Sequence, residues 1–178
     1  YWLSIHVSMI TASYGFLGLA ALLGFISILL FNLKTAKNEK HISYSIKELN
    51  AINEMSIMVG LVLLTIGNFL GGVWANESWG RYWGWDPKET WALVTILIYA
   101  VILHLRFIKS LYSEFNFAVI TTFAFTSVLM TYFGVNYYLS GLHSYAAGDP
   151  VPIPDFVPVT YTVLALVVAL AFRNRKLV

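Results

Sequence analysis

The chain has 178 residues, 58% of them apolar and 11% charged; a soluble domain carries about 25% charged residues, so this composition excludes an ordinary soluble enzyme. It has no cysteine, which removes disulfides, thiolate metal sites and thiol nucleophiles from its own chemistry. Its 11 Lys+Arg against 9 Asp+Glu, a formal net charge of +2, is too even a balance for a nucleic-acid binder.

Residue 1 is Tyr rather than Met, and no signal peptide precedes the first apolar run. We therefore expect this to be part of a longer chain, with residues before Tyr1. A membrane-spanning helix needs about 20 mostly apolar residues. In chain order, residues 7–31, 55–73, 90–107, 115–138 and the shorter 159–172 meet or approach that length. Four of the five prolines, at 150, 152, 154 and 158, fall in one connection, and the fifth is Pro87, so none interrupts a span. The expected fold is all-α: a polytopic transmembrane helix bundle of about five spans, one membrane domain over 1–178, with a tryptophan-rich external loop.

An odd span count puts the two ends on opposite sides. Nine basic residues (Lys34, Lys37, Lys40, Lys47, Arg106, Lys109, Arg173, Arg175 and Lys176) then share one side, and two, Arg81 and Lys88, the other. The positive-inside rule places the nine in the cytoplasm and Tyr1 outside.

The loop 74–91 reads WANESWGRYWGWDPKETW and holds five of the six tryptophans. Asp86 suits an N-cap, Pro87 the first helical position and Glu89 the third, a capping-box pattern that starts span three. On one reading these three do nothing more. Trp79 and Trp83 are four apart, so a helical turn would put them on one face, and Gly80 and Gly84 would leave a flat approach beside the rings. A large flat aromatic ligand would stack there. The alternative is an aromatic belt that anchors the chain at the interface.

Of the four histidines, His41 reads as a solvated loop residue. His6, before span one, and His143, after span four, lie at one membrane level beside the tryptophan loop. Each alone is more often an interface residue; together they suggest an axial pair for a haem iron rather than a zinc site, which would need further ligands. His104 lies about 20 Å along a helix from Trp91 at 1.5 Å per residue, in the inner half of the apolar core. An ionisable residue there is a functional candidate; the bland alternative is an inner-interface residue helped by Arg106.

The run WGRYWGWDPKETWALVTILIYAVILHLR resembles the signature of the haem-handling membrane proteins that share a tryptophan-rich WWD motif. WDPKETWAL and the following LHLR are similar to the CcsA (ResC) branch, which serves system II cytochrome c biogenesis. The CcmC and CcmF proteins of system I share the WG–W–WD core and diverge after it. The resemblance extends to IHVSMITASYG and GLHSY and covers most of the chain.

It implies the transmembrane half of a haem exporter and holocytochrome c synthase, with haem b as substrate, in a bacterial inner membrane or a thylakoid membrane. Haem would pass from a site with transmembrane histidines to the external WWD surface. There two external histidines hold the iron, and the CXXCH thiols of apocytochrome c add to the haem vinyl groups. By matching motifs, His6 and His143 correspond to the external pair and His104 to the transmembrane ligand. Trp79, Trp83, Trp85 and Asp86 lie in the WWD platform. A partner for His104 would lie before Tyr1, and a CcsB (ResB) protein would be a separate subunit or a fused region. Arg81 and Lys88 could meet the haem propionates, Arg being the better fork, unless Lys88 is simply solvated. No residue singles itself out as a general acid or base. Two other readings stay open. One is a b-type cytochrome subunit, which usually embeds several histidines within its spans; the other is a haem transporter or chaperone without synthase activity.

Overall fold

A computed structural model of the chain describes residues 1–142 and 151–175. Among them every regular element is helical: α1 (Trp2–Leu33), α2 (Glu39–Trp79), α3 (Pro87–His104), α4 (Glu114–Leu129), α5 (Val135–Tyr138) and α6 (Phe156–Asn174). A 3₁₀ turn, Leu105–Phe107, follows α3, and a π-helical stretch, Met130–Gly134, joins α4 to α5. Taking α4 to α5 as one span, the five helical segments are long and apolar enough to cross a membrane, and the protein is an integral membrane protein.

Several boundaries differ from the sequence expectation. The basic connection 32–54 is mostly helix: only residues 34–38 form the turn, and α2 then runs for 41 residues, about 60 Å at 1.5 Å per residue. Hydropathy ends a span where charges begin, but a helix stops only where its backbone must. Nothing between Glu39 and Trp79 forces a stop, and Ile42, Ile46, Asn50 and Asn53 keep one buried face. His41 is therefore an exposed residue on α2, not in a loop. The helix ends at Gly80, whose φ of 71° is the left-handed conformation that closes helices. Pro158 falls inside α6 rather than before it, but in the first turn, where an N–H has no helical partner to lose. Span four is not a plain α-helix, because the π stretch adds a bulge at its outgoing end.

Helices α1 and α2 are antiparallel neighbours: His6 meets Gly67, and Ser27 meets Asn50. Helix α4 packs beside them. Asn53 donates to Thr121 Oγ1 at 3.1 Å, and Asn50 donates to the Glu114 carboxylate at 2.7 Å. Helix α3 joins the π stretch after α4 through Thr95 and Thr131, whose hydroxyls are 3.0 Å apart and fully or almost fully buried. Between apolar helices in lipid the hydrophobic effect gives little, so packing and such polar contacts hold the bundle, each worth about 0.6 kcal/mol. Leu17, Ile57, Leu64, Tyr99 and Phe117 fill the main core. A second cluster, around Phe31, Ile46 and Phe115, lies at the end where the lysines gather. Helix α6 is peripheral. Ala171 is its only buried residue among those described, and Asn32 and Asn174 tie it to α1. These contacts give the bundle a tryptophan end and a basic end.

Candidate functional site

At the tryptophan end a cavity of about 400 Å³ opens between α1, α2, α3 and the π stretch. His6, Trp79, Trp83, Lys88, Tyr132 and Leu142 are among the residues that line it. Sequence reasoning pointed to the first four.

His6 lies within α1 rather than before it. Its Nδ1 is 2.7 Å from the carbonyl oxygen of Gly67 on α2. A carbonyl only accepts, so Nδ1 carries the hydrogen, and in the neutral ring the lone pair is on Nε2. That bond also fixes the ring plane, as is usual for metal-ligating histidines. The ring sits on Gly71: a Cβ there would come within 2.6 Å of its Cε1. The side chain is thus held by two residues of α2, 61 and 65 positions away.

The helical turn expected to align Trp79 with Trp83 is not formed, because α2 stops at Trp79. The two rings reach the cavity separately. Trp79 packs edge-on against Trp74 at 4.8 Å between centroids, and Trp83 against Trp85 at 5.7 Å. Trp85 has a φ of 56°. That is a left-handed conformation costly to a bulky L residue, and its side chain is 71% exposed.

The loop is folded by hydrogen bonds that the sequence shows only in part. Asp86 caps α3 as expected, accepting from Lys88 N at 3.1 Å. Glu89 completes the box, its Oε2 accepting from Gly84 N at 2.8 Å and Asp86 N at 3.2 Å. Asp86 does more than cap: its second oxygen accepts from Leu142 N at 2.6 Å. Tyr82, which sequence reasoning missed, lays its ring on Gly72 and donates to the Phe69 carbonyl at 2.8 Å, closing the loop onto α2. A tyrosine two residues past a helix-ending glycine was the only signal for it.

Lys88 lines the cavity and donates to Asn136 Oδ1 at 2.9 Å, so it is engaged rather than merely solvated. Arg81 is exposed and its guanidinium lies over Gly84, outside the cavity lining. His143 lies outside the described residues; its chain neighbour Leu142 lines the cavity. His104 is not brought to this site. It is the last residue of α3, exposed, with Nδ1–H donating to the Ala100 carbonyl at 2.7 Å. Arg106, two residues on, forms an ion pair with Glu54. Among the described residues no group of three or more His, Cys, Asp and Glu side chains could hold a bare metal ion. A histidine in an aromatic cavity fits a metal already carried in a flat macrocycle.

The family described as "Cytochrome C assembly protein" matches residues 1–143. "Protein NrfI" of Wolinella succinogenes is 57% identical over 152 residues, covering 85% of this chain and 17% of that protein. "Cytochrome c biogenesis protein CcsA" of Chlamydomonas reinhardtii is 43% identical over 144 residues, covering 81% and 40%. The protein of that name in Prochlorococcus marinus is 38% identical over 168 residues, covering 81% and 53%. The chain thus spans from about a sixth to about half the length of these relatives.

Proposed function

Because the chain belongs to the cytochrome c assembly protein family, we propose that it is the membrane part of a system II cytochrome c synthase. In this reading the whole chain is one haem-handling unit of a longer protein. It carries haem b across the membrane and presents it to apocytochrome c, with the loop 74–91 on the external side as the WWD platform. The nine-to-two split of basic residues supports that orientation.

The reading rests on His6. Its tautomer, fixed by Gly67 at 2.7 Å, offers Nε2 as an iron ligand within a cavity lined by Trp79 and Trp83. His143 supplies the second axial imidazole, and Trp85 extends the stacking surface. Of the two basic residues near the loop, Lys88 is the better placed for a propionate, since it lines the cavity and Arg81 does not. Asp86 holds the loop, and His104 serves a separate transmembrane site with a partner from the rest of the protein.

The chemistry needs positioning more than acid or base. Each substrate cysteine S–H adds across a haem vinyl C=C; a C–S bond forms, the hydrogen passes to the other vinyl carbon, and no oxidant is consumed. Holding two reactants in register is itself a large rate factor. Carboxyl, hydroxyl and imidazole groups of this chain bind and orient; the thiols belong to the CXXCH segment. A CcsB-like region or subunit completes the synthase.

The test is co-expression of the full-length protein with an apocytochrome. Haem that survives denaturation on the cytochrome supports synthase activity. Haem bound to the membrane protein with none attached covalently would leave a transporter or chaperone.

A further inference from the structure

We propose that a second cavity, at the basic end of the bundle, binds a phosphate group through Lys34, Ser43, Lys47 and Arg175. The cavity, of about 430 Å³, is bounded by the end of α1, the first turns of α2, the start of α4 and the end of α6.

Lys34 lines it and is only 2% exposed. Its ammonium has no hydrogen-bond partner among the described residues, and neither does the buried hydroxyl of Ser43 in the same wall. The carbonyls that precede Lys34 in the chain already have other donors. The carbonyls of Phe31 and Asn32 accept from Asn174 Nδ2 at 3.2 and 3.3 Å, and that of Leu33 accepts from Asn38 at 3.0 Å. Glu114, the one carboxylate in the lining, accepts from Asn50 and makes no ion pair with Lys34. An ammonium withdrawn from water and left unpaired is strongly unfavourable, so the site calls for an anion that the described residues do not supply.

The lining also fits a particular anion. Lys47 is exposed at the rim. Arg175 is held by its stack on Phe172, with Cζ 3.4 Å from the ring centroid. Three cations and a hydroxyl around one cavity exceed the two oxygens of a carboxylate and suit the tetrahedral oxygens of a phosphate. Two sources share that chemistry: an anionic phospholipid headgroup at the membrane surface, and free inorganic phosphate.

The experiment is titration of the full-length protein in neutral micelles, followed by native mass spectrometry. One arm adds phosphatidylglycerol against phosphatidylcholine, and the other adds inorganic phosphate at constant ionic strength. Preferential retention of phosphatidylglycerol supports the site with a lipid occupant; retention of inorganic phosphate supports it with a free one. In either case Lys34→Met should weaken binding about tenfold, the scale of one lost charge-assisted hydrogen bond. A double variant, Lys47→Gln with Arg175→Gln, alters only the rim and should also weaken it, which keeps the test open if Lys34→Met does not fold. No binding in either arm, or equal binding by wild type and the rim variant, overturns the proposal.

Discussion

The carboxylate of Asp86 caps its own helix and reaches an amide 56 residues away: one oxygen caps α3 through Lys88 N, and the other accepts from Leu142 N at 2.6 Å. Leu142 directly precedes His143, so one side chain ties the start of the third span to the approach of a proposed ligand. Replacing Asp86 by Ala removes both bonds. Loss of the cap alone costs about 0.5–2 kcal/mol, and haem retention should fall with thermal stability. Asp86→Asn should be intermediate, because an amide has one acceptor oxygen for two N–H donors. Gly141→Ala keeps the Asp86 side chain but should resemble Asp86→Ala, since a Cβ at 141 would meet the Asp86 carboxylate and Pro87 and displace Asp86 from Leu142 N. If Gly141→Ala retains full haem content, the link does not serve the site.

His6 should be needed for haem retention in the purified full-length protein. His6→Ala should lower the haem content. His6→Gly with free imidazole should recover part of the absorbance, because imidazole can occupy the vacated position. Ligation uses the neutral ring, so protonation competes and the haem should be released as pH falls. His143→Ala should behave as His6→Ala does, and the exposed His41→Ala serves as control. Wild-type spectra from both mutants would remove the pair from the ligand set.

Trp85 gives a case where stability and function should move in opposite directions. Its left-handed backbone costs about 1–3 kcal/mol, and glycine bears no such cost. Trp85→Gly should therefore keep or raise the unfolding temperature while lowering haem content. Replacing Trp79, Trp83 and Trp85 together by Leu should lower haem content further and leave the protein in the membrane. Unchanged haem in the triple variant would assign these rings to interface anchoring.

Orientation can be read by cysteine labelling, the chain having no cysteine of its own. Lys40 and Ser78 are exposed on opposite ends of α2. An impermeant maleimide added outside intact cells should label Ser78→Cys and not Lys40→Cys. The reverse pattern would place the tryptophan loop in the cytoplasm.

The sequence by itself determined the class of the molecule. Apolar runs near 20 residues and scarce charge allow only spanning helices, since lipid offers backbone groups no other partner. It also determined the start of α3, because a cap depends on three residues in a row of four and needs no distant partner. It named the family through WGRYWGWDPKETWAL, and it located His6 and the tryptophans as site candidates. What it could not decide depends on contacts between segments. Hydropathy misplaced the start of α2, because helix continuity is a property of the backbone and not of polarity. A four-residue spacing suggested one face for Trp79 and Trp83, but Gly80 ends the helix between them. The tautomer of His6 follows from a carbonyl 61 residues away, and the second bond of Asp86 from an amide 56 residues away. In sequence Lys34 is one of nine basic residues assigned to one side; only the convergence of α1, α2, α4 and α6 encloses it. Tertiary structure decides such features because burial and hydrogen-bond partnership belong to pairs of segments, and no window along one of them contains the other.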